Sequence, residues 1–163
     1  MNTPKNKPKR TARERQLPLK LYLPLLAFAT EIVFSRLSAP PWLTFCLEYF
    51  LIILFVFYNL KAKSVWPYWI GAGTLMNFSV IAANKFTMPV SPSVFSPQVD
   101  DALLASLLRG DIYGYSLSGS DTVLPFLGDI IRISPFGGLI GFASIGDLLL
   151  LAGAAVAFYH FRS

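Results

Sequence analysis

Residues Trp42–Leu60 read WLTFCLEYFLIILFVFYNL, an apolar run interrupted by a single charge, Glu48. At about 1.5 Å per residue, a helix of roughly 20 such residues crosses the hydrocarbon core of a bilayer. The run is bounded on one side by Pro40 and Pro41, which form a short turn, and on the other by Lys61 and Lys63. A segment that is apolar on every face has no solvated side to offer a small soluble domain. The reading is therefore an integral membrane protein of the all-α class.

Further spans lie on either side. Upstream, an apolar stretch covers about 19–37, preceded by a polar, basic stretch, Met1–Gln16, with Pro4 and Pro8, which has the composition of a disordered tail. The LYLPLLAFA run, with Ala27 and Ala29 in A-x-A spacing, also fits a signal peptide. Hydrophobicity continues through Ile32, Val33 and Phe34, which favours an uncleaved anchor. Downstream, a third span over about 66–86 opens on Trp66, Tyr68 and Trp69, the aromatic belt of a headgroup boundary. Residues 87–123, rich in Pro, Ser, Gly and Asp, read as an extramembrane loop. Its ALLASLL stretch at 102–108 supplies one or two amphipathic turns. LPFLGDIIRI at 124–133 is half a span long and reads as a re-entrant or interfacial segment. A fourth span covers about 136–159. The expectation is four transmembrane helices in one membrane domain, 17–163, behind the tail 1–16.

Basic residues set the orientation. The tail, Lys61, Lys63 and Arg162 fall on one side, Arg36 and Lys85 on the other, so both ends are expected in the cytoplasm and 87–123 outside.

The chain of 163 residues is 54% hydrophobic and 14% charged, against about 25% charged in average soluble domains, with mean hydropathy +0.53. Its net charge of +5 resides at the N-terminal end, with Lys5, Lys7, Lys9, Arg10, Arg13 and Arg15 in the tail and Lys20 at the edge of the first apolar stretch. Without interleaved aromatics this is an anchor for anionic lipid, not a nucleic-acid arm. Cys46 is the one cysteine and His160 the one histidine, which excludes an intrachain disulfide and a Cys/His metal cluster. Nucleotide loops, H-E-x-x-H and G-x-S-x-G are absent, so neither cofactor nor metal is expected.

An ionisable side chain inside a span costs about 2.5–3.5 kcal/mol on insertion scales. Glu31 and Glu48 each fall about six residues from the outer end of their spans, roughly 9 Å deep at the helical rise. Asp147 falls near the midplane of the last span and Asp129 in the short segment before it. Gly73, Asn77 and Asn84 follow i, i+4, i+11 spacing, which puts the asparagines on one face. Glu31, Glu48, Asn77, Asn84 and Arg132 thus form a candidate polar cluster in the outer half. The structural alternatives are Asn77 hydrogen-bonded across to another helix, Asp129 paired with Arg132 at i+3, Glu31 and Glu48 protonated or paired with Arg36, and Asp147 carried along by the small-residue packing of Gly137, Gly141, Ala143, Ser144, Gly146, Gly153 and Ala154.

Two stretches carry a resemblance. Residues 75–90, LMNFSVIAANKFTMPV, together with LGDII at 127–131 and SIGD at 144–147, resemble motifs of a family of small bacterial membrane proteins classed as a domain of unknown function. Where that family has two glycines after the second asparagine, this chain has Lys85 and Phe86. The resemblance implies a multi-pass protein of the bacterial cytoplasmic membrane. More loosely, Asp129 and Asp147, eighteen apart (147 minus 129), resemble the two aspartates of lipoprotein signal peptidases, before and within the last helix. That resemblance implies a catalytic pair, one carboxyl activating water and the other protonating the leaving amine. The N-x-G-x-A-F and G-x-x-x-N-x-x-D-R motifs of those peptidases are absent.

Three functions remain open: a binding or structural membrane component whose partners are lipid, another membrane protein or a second copy; an aspartate-dyad hydrolase; and a proton-coupled transport component, which with four helices needs an oligomer.

Overall fold

The computed structural model describes residues 20–96, 100–135 and 139–162. The proposed tail, 1–16, and Gly137 lie outside them. The described residues are mostly helical: α1 (Tyr22–Arg36), α2 (Pro41–Asn59), α3 (Trp66–Ala83), the short α4 (Asp101–Arg109) and α5 (Ile145–Arg162). Of these, α2 and α5 are long and apolar enough to cross a membrane. The long helices form a bundle in which α1 packs on α2, α2 on α3 and α3 on α5.

The all-α expectation needs correcting. Residues 88–143 build a small cap on one end of the bundle, with strands β1 (Met88–Val90), β2 (Tyr115–Leu117), β3 (Ile131–Ile133) and β4 (Gly141–Ala143). β1 pairs in parallel with β2, and β3 antiparallel with β4. The described residues of 87–123 are therefore folded, and 124–133 holds a 3-10 turn followed by a strand. The ALLASLL turns extend into α4, which carries Asp101 in its first turn and Arg109 in its last and stops at Gly110, whose φ of 74° is the left-handed cap. The last helix begins at Ile145 instead of about 136, because Gly141–Ala143 are held by β3 and Ser144 starts the helix with a capping box. The Ser144 hydroxyl accepts the Asp147 N–H at 3.0 Å, and the Asp147 carboxylate accepts the Ser144 N–H at 2.8 Å.

The helix ends are set locally. Pro41 occupies the first turn of α2, where its missing N–H has no intrahelical partner to lose. α3 ends at Ala83, short of the expected 86, because Lys85 (φ 57°) and Phe86 (φ 59°) turn left-handed. These positions, glycines in the resembled motif, keep the tight turn without glycine. A left-handed L-residue costs about 1 kcal/mol or more. Lys85 is exposed, so Lys85→Gly should raise stability by about 1 kcal/mol, read as a higher thermal midpoint; an unchanged or lower midpoint would show the turn to be unstrained.

Polar groups inside the bundle are satisfied close to home. Thr30 and Thr74, both buried, donate to the carbonyls of Leu26 (2.8 Å) and Ile70 (2.7 Å), and Asn59 donates to Phe55 (2.8 Å). Meanwhile large apolar side chains face outward, including Leu25, Phe28, Phe57, Leu151 and Phe158, each about two-thirds exposed. Two apolar clusters fill the interior. Leu23, Ala27, Leu51, Phe55, Trp66 and Ala157 lie at the end away from the cap, and Phe45, Tyr49, Val80, Ile81 and Met88 at the end beneath it.

α3 and α5 cross with almost no space between them. A Cβ on Gly73 would stand 2.5 Å from the Gly146 carbonyl oxygen, one on Gly146 would stand 1.9 Å from Asn77 Oδ1, and one on Gly153 2.7 Å from Ile70 Cγ1. The cap is pinned to the α1–α2 turn by Tyr113, whose hydroxyl donates to the Ala39 carbonyl (2.9 Å) and so takes the Thr44 hydroxyl proton at 2.6 Å.

Candidate functional site

The α3–α5 crossing brings Asn77 onto Asp147. The amide of Asn77 donates to Asp147 Oδ1 at 2.7 Å, while Ser144 Oγ lies 2.8 Å from Asn77 Oδ1 and 2.9 Å from Asp147 Oδ2. Both carboxylate oxygens of Asp147 thus accept hydrogen bonds, and its side chain is fixed by two helices at once. In the sequence Ser144 stands out as a small residue and as the start of the SIGD stretch, with no partner assigned. The S-x-x-D capping pattern was the signal that could have placed it.

Asp129 is positioned by its backbone. Its N–H donates to the Pro89 carbonyl and its own carbonyl accepts the Ser91 N–H, both at 2.9 Å, so it lies alongside β1 opposite β2. Gly128 makes this approach possible, since a Cβ there would meet the Pro89 oxygen at 2.4 Å. The MPV, LGD and SIGD stretches therefore meet at one end of the bundle.

Asp129 is 4% exposed, and its carboxyl makes no hydrogen bond or ion pair among the described residues. Burial, and then the charge of Asp147, push it up to about 7. No hydrogen bond joins the two carboxyls among the described residues.

Asp129 lines a cavity of about 360 Å³ in the cap. Val90, Leu103, Leu107, Ile112, Ile140 and Phe142 supply apolar walls, and Tyr115 is its other polar wall. Tyr115 had not been singled out from sequence, because only the β1–β2 pairing brings it here. Tyr115 is 39% exposed, and its phenol is pushed up to about 12, first by partial burial and then through the charges of Asp129, Glu31, Asp147 and Glu48. The phenol is thus the point on which these four carboxyls, from α1, α2, the cap and α5, all act. Glu48 Oε2 is buried without a hydrogen-bond partner among the described residues.

The remaining candidates fall elsewhere. Asn84 closes α3 and clamps the loop: its amide donates to the carbonyls of Val80 (2.7 Å) and Val123 (2.8 Å) and accepts the Val123 N–H (2.9 Å). Its amide is therefore used structurally, away from Asn77. Arg132 does not pair with Asp129, because the strand sends it the other way, to Asp100 and the Val94 carbonyl (3.0 Å). Its hydrogen bond and the Ser96 N–H (2.7 Å) hold Asp100 below the usual carboxylate range. Arg36 forms no ion pair with Glu31 or Glu48 among the described residues. No three His, Cys, Asp or Glu side chains among the described residues are grouped closely enough to hold a metal ion.

In comparison with known proteins, residues 15–159 match a family described as one of unknown function. No curated protein and no solved structure matches the chain.

Proposed function

The chain belongs to the family of unknown function DUF5317, and on that footing we propose that it is a membrane-embedded binding protein whose cap cavity takes an amphiphilic small molecule. The observation that carries this is the cavity itself: apolar walls of small-molecule size around one buried, unpartnered carboxyl. An apolar body suits the walls, and a polar group on the ligand would meet the desolvated Asp129.

Membrane residence rests on the polarity of the bundle. Thr30, Asn59 and Thr74 inside it bond to carbonyls of their own helices, while large apolar side chains such as Phe28, Phe57 and Phe158 face out. In water such an outward surface would drive association; in lipid it is the required solvent face. We read α1, α2, α3 and α5 as four spans in the bacterial cytoplasmic membrane, both ends cytoplasmic and the cap outside. With Cys46 replaced by Ser, a cysteine at exposed Ser120 should react with an impermeant maleimide in intact cells. Labelling only after lysis would reverse the orientation.

Gly141 gives the binding test. It lines the cavity, and a Cβ there meets nothing within 4 Å, so Gly141→Trp should fill the space without disturbing the backbone. Wild-type protein purified in maltoside should carry or take up an amphiphile detectable by native mass spectrometry. Gly141→Trp should lose it at an unchanged thermal midpoint, and equal uptake by both would refute the site.

A dyad hydrolase is the second reading, favoured by one observation: Asp129 and Asp147 come to the same end of the bundle, near enough for the charge of Asp147 to help raise Asp129. It requires Asp129→Asn and Asp147→Asn each to abolish the processing of a membrane-bound precursor in cells, at normal protein levels. Unchanged extracytoplasmic N-termini would exclude it.

A further inference from the structure

The charges around the cavity specify its ligand further, granted the binding reading above. The two ion pairs among the described residues, Arg109–Asp111 and Arg132–Asp100, both lie outside the group formed by Glu31, Glu48, Asp129 and Asp147. Those four carboxyls have no cationic partner among the described residues, and the Tyr115 phenol feels the charge of all of them. Asp129 is more than nine-tenths buried, makes no side-chain hydrogen bond among the described residues, and lines the cavity. A desolvated carboxyl of this kind is stabilised most by an opposite charge. A bare metal ion is a poor fit, because no three of these side chains come together closely enough to coordinate one.

We infer that the occupant is a cationic amphiphile, with an ammonium head against Asp129 and the face or hydroxyl of Tyr115, and an apolar tail along Leu103, Leu107, Ile112 and Phe142. An ammonium is larger than a metal ion, needs no close ring of ligands, and gains from both a carboxylate and an aromatic face. The apolar walls take the tail, as the same cavity has no other charged lining residue.

The test uses the full chain in uncharged maltoside micelles and three probes sharing one alkyl tail: dodecyltrimethylammonium, dodecanol and dodecyl sulfate. Affinities are read from the concentration dependence of the thermal midpoint and checked by native mass spectrometry. The ammonium should bind at least about tenfold more tightly than the alcohol, the difference expected of one charge-assisted contact, and the sulfate most weakly. Asp129→Asn should remove the advantage of the ammonium while leaving alcohol binding in place, and Gly141→Trp should remove binding of all three. Equal binding of ammonium and alcohol, or an ammonium preference that survives Asp129→Asn, overturns the cationic assignment while the amphiphile site stands. Binding of none of the probes to wild type, or binding untouched by Gly141→Trp, overturns both.

Discussion

Gly146→Ala should destabilise the protein by about 3 kcal/mol or more, enough to lower the yield of folded protein in detergent. The added methyl would stand 1.9 Å from Asn77 Oδ1 and 2.9 Å from the Gly73 carbonyl oxygen, so α5 must move away from α3. That movement would also break the Asn77–Asp147 hydrogen bond. The gain in helix propensity from alanine, about 1 kcal/mol, does not offset this. A double-mutant cycle isolates the cause: Asn77→Ala removes the nearest clashing atom, so Gly146→Ala should cost measurably less in that background. Gly119→Ala, where a Cβ meets nothing within 4 Å, is the control and should stay within about 0.5 kcal/mol of wild type. A full-strength thermal midpoint for Gly146→Ala would mean that the helices do not cross at this point.

The second large effect concerns pH. In the folded protein Asp129 titrates near 7, against an ordinary value of 3.8, so between about pH 4 and 7 the native state holds a proton that the unfolded chain has released. Asp129 therefore contributes no penalty below pH 4, an increasing one as pH rises to 7, and a constant one above. At about 1.4 kcal/mol per unit the full penalty is about 4 kcal/mol. Asp129→Asn, which cannot ionise, should raise stability at pH 8 by up to that amount and flatten the decline between pH 4 and 7, measured by thermal unfolding in maltoside. If the variant is less stable than wild type at pH 8, the carboxylate has a partner in the folded state and the cavity is not what solvates it.

The sequence and the structure agree where the signal is local and long. The apolar runs of α2 and α3 are continuous, and prolines and lysines mark their ends, so helices there were legible to within a few residues. Residues 136–144 misled because FGGLIGFAS continues the apolar character of α5. What stops the helix from extending back is a four-residue capping pattern and a strand partner eight to twelve positions upstream, neither of which changes the hydropathy. The cap was read as loop for a related reason: its strands are three residues long, and β1 pairs with β2 across the whole of α4. Arg132 shows the same limit, since the i+3 spacing suggested Asp129 and the strand geometry gave it Asp100, 32 residues away. Asp147 was legible as a residue needing a partner, but its depth was not: it lies in the first turn of α5, at the cap end, instead of near the middle of the last helix, because that helix starts at Ile145. Its partner Asn77 and the nearby Tyr115 become neighbours only through glycine-mediated helix contact and a parallel strand pair.

The habit of the bundle's polar side chains of bonding within their own helix has a mechanical side. In α1, Thr30 holds the Leu26 carbonyl and Ser35 holds that of Ile32, so among the described residues no side-chain hydrogen bond crosses from the helix body to a neighbour. Its grip on α2 comes from apolar surfaces such as Leu23 and Ala27, which have no directional bond to hold their register. The turn at its cap end, in contrast, is riveted through Ala39 to Tyr113. α1 is hung like a door, with a fixed hinge beside the cap and a greased edge along the rest of its length, whereas α3 and α5 are bolted together at Asn77 and Asp147.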